Sequence, residues 1–366
     1  MNALAKKLPG VAAAVTVAGG AAGAASLLPS EWHVSAIPLS IALGAAAGNA
    51  APALRDRLKP GVSMCASTVL RVGVVCVGAK LSAAQVFALG WTTIPAAAAA
   101  VTVGITTIPA IASYAGLPPR LGSLIAAGTS VCGVTAIGAV APAIAATQAE
   151  VAVAVGNVVA YGTAAMLCYP HLAARLFPAG DSQHIGLFLG LGVHDTAQVM
   201  GAAASYAEQY SDAAVVTCAA VAKLTRNVSL AAVVPLMAAK HGAAGAAAGF
   251  STRALAAAVP TFVLGFLGMS LLRTLGDLQL SRGGAALGVL DAKQWKQGAE
   301  WVGNELGTKI LLGTAMAGVG LSVQASAFKG VGYRPFLVGG AGALIVGGTG
   351  LASALVLSRL TWTSGG

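Results

Sequence analysis

Apolar runs of roughly 20 residues, separated by short polar connections, recur along most of this chain. A run of that length lets one helix cross a bilayer, so the pattern predicts an all-α, polytopic membrane protein with about ten or eleven transmembrane helices. The predicted spans are residues 8–28, 34–51, 64–82, 91–113, 121–146, 150–170, 185–205, 213–239, 254–275, 305–325 and 335–358.

Three stretches differ from a simple membrane span. The segment 8–28 is weak, being mostly Ala, Gly and Val after two lysines, and a cleaved signal peptide is the alternative. The segment 121–146 is long enough for a broken helix or a tight hairpin. The polar connection 276–304 combines tryptophans with scattered charges, which predicts an amphipathic helix at the membrane surface. No soluble domain is visible, so residues 1–366 are predicted to form a single integral-membrane domain.

The composition agrees with a membrane protein and limits its partners. Charged residues make up 9% of the chain, against about 25% in soluble domains. The net charge of +10 comes from lysines and arginines in short connections, and these are more numerous on the side of the N-terminus. The positive-inside rule therefore predicts a multi-pass cell-membrane protein with a cytoplasmic N-terminus, and nothing favours nucleic acid as a partner. The sequence leaves the oligomeric state open, a homodimer included.

The five cysteines lie in or beside apolar segments, with no C-x-x-C pair and no paired histidines. Their spacing is typical neither of a disulfide framework nor of a zinc site. We therefore predict buried free thiols, and neither a metal nor a cofactor.

The chain also contains a weak internal repeat. A shift of 240 residues aligns 73–85 with 313–325, and both copies end an apolar helix in G-x-x-L-S. The match continues at Gly90/Gly330 and Pro95/Pro335, which makes six identities in the 23 positions 73–95. Seven predicted spans separate the copies, so they would run in opposite directions. Inverted repeats with discontinuous helices place the sites of secondary transporters near the middle of the membrane, and we predict that arrangement here.

His194 and Asp195 lie in an otherwise apolar, glycine-rich run, residues 186–204. An ionisable residue at bilayer depth costs about 2.5–3.5 kcal/mol on insertion scales, so such residues usually face a cavity or a partner. Gln198 follows them by three and four residues, which places it beside both on a helix. We predict that His194 and Asp195 relay a proton or accept an ion, with Gln198 as an uncharged partner. The alternative is that Asp195 caps a half-helix.

Lys223 and Arg226 lie near the centre of the predicted span 213–239. Together they cost about 5–7 kcal/mol at that depth, roughly as much as the surrounding Val and Leu residues contribute. Compensation must come from an anionic substrate, a water-filled cavity or a structural ion pair with Asp195. Because arginine presents a fork of donors suited to oxyanions, we predict that this pair and Asn227 bind an anion.

The sequence G-T-S-V-C-G at 128–133 is the third candidate. Its flanking glycines predict unwound backbone and an exposed half-helix N-terminus, whose N–H groups bind anions. Substrate binding is therefore predicted for Thr129, Ser130, Cys132 and Gly133; hydroxyl groups bonded back to the helix are the alternative. No base lies beside Cys132 in the sequence, so no catalytic residue is predicted.

At these residues the chain resembles a known family. The motifs at 128–133, V-H-D-T-A-Q-V at 193–199, K-L-T-R-N at 223–227 and G-L-S-V-Q-A-S-A-F-K-G-V-G at 320–332 look like signatures of the UPF0324, or YeiH-like, membrane proteins. The resemblance implies a transporter of the sulfate-exporter type. It also implies a fold similar to bile-acid symporters and cation–proton antiporters, with inverted repeats and crossed discontinuous helices. The pathway residues that it implies are Ser130, Cys132, His194, Asp195, Lys223 and Arg226.

Three functions follow from these patterns, in decreasing order of preference. The first is a secondary transporter of a small inorganic or organic anion, such as sulfate or a sulfonate, coupled to protons through His194 and Asp195 as one helix bundle rocks against another. The second is a cation–proton antiporter in which Asp195 is the exchanging carboxylate. The third, a membrane-embedded enzyme, lacks a recognisable set of nucleophile, base and orienting residue.

Overall fold

The computed structural model describes residues 5–27, 36–80, 82–242, 261–323 and 332–364, and within these ranges there are helices and no β-strand. The all-α, polytopic membrane fold is therefore confirmed. Six of the described helices are long and apolar enough to cross a membrane, namely Leu8–Leu27, Pro52–Lys80, Val86–Tyr114, Ala149–Leu176, Ala214–Lys240 and Tyr333–Leu360. Several of the other predicted spans are divided into shorter helices.

In chain order the α-helices are α1 (Leu8–Leu27), α2 (Ala36–Ala50), α3 (Pro52–Met64), α4 (Leu70–Val77), α5 (Ala83–Tyr114), α6 (Pro119–Ala127), α7 (Val134–Ala143), α8 (Gln148–Leu176), α9 (Ser182–Gly192), α10 (Thr196–Gln209), α11 (Ala214–Val228), α12 (Leu230–Lys240), α13 (Thr261–Ser281), α14 (Ala292–Glu300), α15 (Gly313–Ser322) and α16 (Tyr333–Ser364). Cys65–Val69, Gly128–Cys132 and Trp301–Leu312 are π-helical, and Gly78–Lys80 forms a 3₁₀ turn.

Two predicted boundaries are wrong. The span predicted to begin at residue 64 begins at Pro52, because proline suits the first helical turn and the charged residues that follow it hide the helix from a hydropathy pattern. The amphipathic helix predicted over 276–304 is confined to α14, because α13 continues to Ser281 and a new helix starts only where Asp291 caps it. Residues 254–260 of another predicted span lie outside the described residues.

One compact unit, called unit 1, is built from residues 1–88, 203–217 and 261–325. Its helices pack through small residues: a Cβ added at Gly61 of α3 would lie 2.0 Å from the carbonyl oxygen of Lys7, and one at Gly320 of α15 would lie 2.4 Å from that of Ile41. Such close backbone contact is typical of helices in lipid. The weak first segment, α1, is part of this packing, since Ala14 shares a buried cluster with Val62, Cys65, Ala317 and Leu321.

A second compact unit, called unit 2, is built from residues 89–202, 218–260 and 326–366. Its core is aliphatic and joins α5, α6, α7 and α8, with fully buried Ile108, Leu124, Ile137 and Val158. Two of its predicted spans are interrupted: residues 121–146 divide into α6 and α7, and residues 185–205 divide into α9 and α10. The predicted discontinuous helices are thus present. The inverted repeat and the single integral-membrane domain stay predictions.

Candidate functional site: the junction of two broken helices

The first break lies in the segment predicted to be either broken or a hairpin. The helix α6 continues into the π-helical turn Gly128–Cys132, and the chain leaves the helix only at Gly133, whose φ of +71° is a conformation that side chains rarely adopt. The predicted unwound stretch 128–133 is therefore mostly helical, since a π turn keeps its backbone hydrogen-bonded. A Cβ at Gly133 would also lie 2.6 Å from Oδ2 of Asp195, so the residue must be glycine for two reasons.

The second break separates α9 from α10 at Val193, His194 and Asp195. Val193 is extended, with φ −88° and ψ 143°. The glycines before it have a packing role. A Cβ at Gly186 would lie 2.3 Å from that of Cys218, and one at Gly190 would lie 2.6 Å from that of Ala222. Glycine at both positions therefore allows α11 to pack closely against α9.

Asp195 caps the half-helices that begin at the two breaks. Its Oδ1 accepts a hydrogen bond from the backbone N–H of Ala197 at 2.9 Å, and its carboxylate also accepts one from the N–H of Val134 at the start of α7. Gln198 completes a capping box, because its Oε1 accepts the Asp195 N–H at 3.2 Å. A negative charge is favourable at these positive helix ends.

Gln198 also ties α10 to α8. Its Nε2 donates to the carbonyl of Val159 at 3.2 Å and to Oγ1 of Thr163 at 3.3 Å. Gly162 leaves room for this side chain, since a Cβ there would lie 2.0 Å from Oε1. The amide thus bonds the backbone of Asp195 and the neighbouring helix.

Lys223 and Arg226, both on α11, are almost completely buried, at 1% and 0% exposed. Lys223 Nζ donates to the carbonyls of Val131 at 3.1 Å and of Val193 at 3.3 Å, and also to that of His194. These carbonyls lie at the C-terminal end of the π turn and in the second break. All three ammonium hydrogens therefore have backbone acceptors.

Arg226 bonds the end of α9 in the same way. Its Nη1 donates to the carbonyl of Leu191, and its Nη2 donates to those of Val193 at 2.7 Å and His194 at 3.1 Å. The last carbonyls of a helix have no partner within it and carry its negative end, so buried cations are favourable there. The alternative, a structural ion pair with Asp195, is wrong. Among the described residues no carboxylate lies within 4.0 Å of the charged group of Lys223 or Arg226.

Several buried polar atoms at this junction have no hydrogen-bond partner among the described residues. They are Oγ of Ser130, both ring nitrogens of His194, Nε of Arg226 and Oδ1 of Asn227. The His194 ring lies against the backbone of Thr129 and interacts with it, but neither ring nitrogen reaches hydrogen-bond geometry. Orphaned groups of this kind are costly in an apolar interior and call for a partner that the protein does not supply.

Cys132 is buried at the same junction and its thiol faces the backbone of Ala136. In the part of the chain that the structure describes, no three His, Cys, Asp or Glu side chains come together as metal ligands. The sequence motifs at 128–133, 193–199 and 223–227 therefore meet at one place, built from backbone ends, two cations, one carboxylate and orphaned donors.

Residues 9–339 match the family described as conserved hypothetical protein 698. The chain belongs to the UPF0324 membrane proteins. It is 35% identical over 285 residues to a UPF0324 membrane protein of Ralstonia nicotianae, covering 74% of this chain and 75% of the relative. It is 34% identical over 272 residues to the UPF0324 membrane protein TauZ of Paracoccus denitrificans, covering 73% and 76%. No solved structure matches.

Three of the four motifs that resemble UPF0324 proteins form this junction. The motif at 128–133 supplies the π turn and Gly133, the motif at 193–199 supplies the second break, and the motif at 223–227 supplies both buried cations. The fourth motif, at 320–332, lies mostly outside the described residues.

Proposed function

We propose that this UPF0324 protein is a secondary transporter of a small anion such as sulfate or a sulfonate, in the cell membrane with a cytoplasmic N-terminus. The supporting observation is a set of three buried donors without acceptors around one junction. They are the hydroxyl of Ser130, the Nε–H of Arg226 and an N–H of the His194 ring. A tetrahedral oxyanion carries the acceptors that these groups lack.

The charges at the junction point the same way. Lys223 and Arg226 bring two positive charges, while Asp195 brings one negative charge, so the junction carries an excess of +1 when His194 is neutral. An unbalanced charge in the membrane interior is costly, and a bound anion would offset it. Asp195, held between two helix N-termini, and His194 are the proposed carriers of a coupling proton.

A cation–proton antiporter is less well supported, because a bound cation needs oxygen ligands. The backbone carbonyls at the breaks could be such ligands, but they already accept hydrogen bonds from Lys223 and Arg226. These carbonyls are those of Val131, Leu191, Val193 and His194. An enzyme is not proposed, because in the described part of the chain no base is hydrogen-bonded to Cys132.

The test is flux into proteoliposomes whose membrane potential and pH gradient are set independently. Radiolabelled sulfate would be competed with isethionate, phosphate and chloride, and Na⁺ and K⁺ would be tested separately with a pH-sensitive dye. We expect saturable sulfate or sulfonate flux. Proton flux driven by Na⁺ or K⁺, with no anion flux, would show the protein to be a cation–proton antiporter instead.

The site is tested with variants that remove a free donor while leaving the backbone capping in place. Ser130→Ala should raise the KM for the anion about 10- to 100-fold, because a hydrogen bond to a charged group contributes about 1.5–3 kcal/mol. His194→Phe should act in the same direction. The matched control is Ser205→Ala, which removes a buried hydroxyl of unit 1 and should leave KM unchanged. Equal KM values in all variants would place the anion elsewhere.

A further inference from the structure

A second polar cluster of unit 2 lies at the end of α9 that is remote from the break. Asp181 immediately precedes α9, and its Oδ1 lies 2.7 Å from Nδ1 of His184. Its other oxygen, Oδ2, accepts a hydrogen bond from the hydroxyl of Ser358 on α16 at 2.6 Å. His184 and Ser358 are each 5% exposed, so the cluster is enclosed in protein. Neither the capping network nor the proposed anion site uses these side chains.

Asp181 fixes the roles of the two ring nitrogens. An ionised carboxylate only accepts hydrogen bonds, so Nδ1 of His184 must carry a hydrogen. Nε2 is therefore the nitrogen that gains a hydrogen when the ring is protonated. The imidazole lines a cavity of about 60 Å³ whose other walls include Thr93, Gln183 and Cys218. A water needs about 10–15 Å³ of such space, so the cavity has room for a few waters.

A hydroxyl group of the cavity offers an acceptor to the ring. Thr93 donates its single hydroxyl hydrogen to the carbonyl of Leu89 at 2.6 Å. Its remaining capacity is lone pairs, which neutral Nε2 cannot use because it is an acceptor as well. A protonated Nε2–H would find an acceptor there or on a cavity water, while Asp181 would balance the positive charge.

We propose that His184 is a proton-binding residue of this protein, held in place by Asp181 and Ser358 and supplied with protons through the water-sized cavity. The proton comes from bulk water and is relayed to Nε2 through water in the cavity, so no hydroxide is left behind, and the imidazolium pairs with the Asp181 carboxylate. This site is distinct from His194 and Asp195 at the break. Its part in coupling transport rests on the proposed function, whereas proton binding does not.

Other ionisable groups near the ring are few. Cys218 on α11 lines the cavity, and α5 contributes only Leu89, Thr92 and Thr93 to its wall. On α16, the exposed Arg359 follows Ser358, and the last turns of α8 carry the exposed His171 and Arg175. Asp181 is therefore the group whose removal should affect the proton affinity of His184 most.

Proton binding can be measured without transport, by solid-state NMR of the protein in liposomes with ¹⁵N-labelled histidine. Spectra would be recorded between pH 8 and pH 5, and we expect an imidazolium signal that is missing in His184→Gln and weakened in Asp181→Asn. His171→Gln is the control and should leave the signal in place. A His184 signal that stays neutral across this range would overturn the proposal.

Coupling is tested in the proteoliposomes with His184→Asn, whose amide can still donate to Asp181 but cannot take up a proton at neutral pH. If wild-type sulfate flux is stimulated by a proton gradient, the stimulation should fall to about onefold in His184→Asn and persist in His171→Gln. Unchanged stimulation in His184→Asn would overturn the coupling role. If the wild type moves no anion at all, the proposed function fails, and the NMR titration still decides whether His184 binds a proton.

Discussion

Unit 1 and unit 2 both contain irregular helices, yet they satisfy the irregular backbone with different side chains. Among the described residues, the buried polar side chains of unit 1 are all hydroxyls, whereas those of unit 2 include Lys223, Arg226 and His194. In unit 1 the irregular segments are π-helical or, at Gly78–Lys80, a 3₁₀ turn, and hydroxyls bond single carbonyls nearby. Thr308 donates to the carbonyl of Gly303 at 2.9 Å, and Ser270 donates to that of Gly78 at 3.0 Å.

The difference follows from how many backbone carbonyls each irregular segment leaves without a hydrogen bond inside the helix. A π turn keeps the chain hydrogen-bonded, so a hydroxyl with one hydrogen is enough. A complete break leaves up to four carbonyls of a helix end without partners, in a place where water is scarce. An ammonium or guanidinium group supplies three or more donors at once. Buried charge in this protein therefore lies where helices are broken, and the same breaks leave donors over for a ligand.

The largest effect is expected for Lys223→Met in unit 2, and it is compared with that of Ser270→Ala in unit 1. Lys223 alone bonds the carbonyl of Val131 and shares two others with Arg226, so its loss should cost about 2–5 kcal/mol at about 1–3 kcal/mol per orphaned group. Ser270→Ala should cost about 1 kcal/mol. Thermal unfolding in detergent, with and without sulfate, measures both. A Lys223→Met protein as stable as the wild type would mean that the carbonyls do not depend on this cation.

The next test is Gly133→Ala, with Gly138→Ala on α7 as its matched control. Alanine at 133 must adopt a φ near +71° and place its Cβ against Asp195, which should cost about 2–4 kcal/mol and most of the transport activity. A Cβ at 138 meets nothing within 4 Å, so Gly138→Ala should stabilise α7 by about 0.5–1 kcal/mol. Equal unfolding temperatures for the two variants would contradict the close approach of the breaks.

Much of the fold could be predicted from the sequence, because long apolar runs fix the class and polar residues in them mark the breaks. The hydrogen-bond partners of Lys223 could not be predicted, since they are backbone carbonyls, which every residue carries. Pro52 was missed as a helix start because charged residues follow it. The hydrogen bond between Asp181 and Ser358 joins residues 177 positions apart, and no local pattern reports such a contact.

A smaller effect is expected from Asp195→Asn, and it separates capping from charge. Asparagine still offers an oxygen to the N–H of Ala197, so stability should change by less than about 1 kcal/mol, whereas Asp195→Ala should cost about 1 kcal/mol or more. Proton coupling should be lost in both variants, because neither carries a carboxylate. If Asp195→Asn keeps proton-coupled flux, then Asp195 is a helix cap and the coupling proton binds elsewhere.

The smallest effect is expected at His241, which belongs to unit 2 but lies beyond α12, away from both breaks. Its Nε2 lies 2.9 Å from the hydroxyl of Ser123, and burial, followed by repulsion from Lys240 and Arg120, lowers the pKa of His241 below its ordinary value of 6.5. Protonation of His241 is therefore less favourable in the folded protein than in the unfolded chain. The free energy of unfolding keeps its full value above the ordinary pKa and decreases as the pH falls through that pKa.

We accordingly expect the Tm of the wild type to fall slightly more than that of His241→Gln between pH 7 and pH 5, with anion flux at pH 7 unchanged by the substitution. His241→Gln is the counterpart of the substitutions at the breaks, because it alters a polar group of the same unit that bonds to α6 before the π turn and not to either break. If His241→Gln reduced anion flux as strongly as Gly133→Ala, then transport would be sensitive to substitutions throughout unit 2. A loss of flux confined to the variants at the breaks would show that transport depends on the junction where carbonyls, cations and orphaned donors meet.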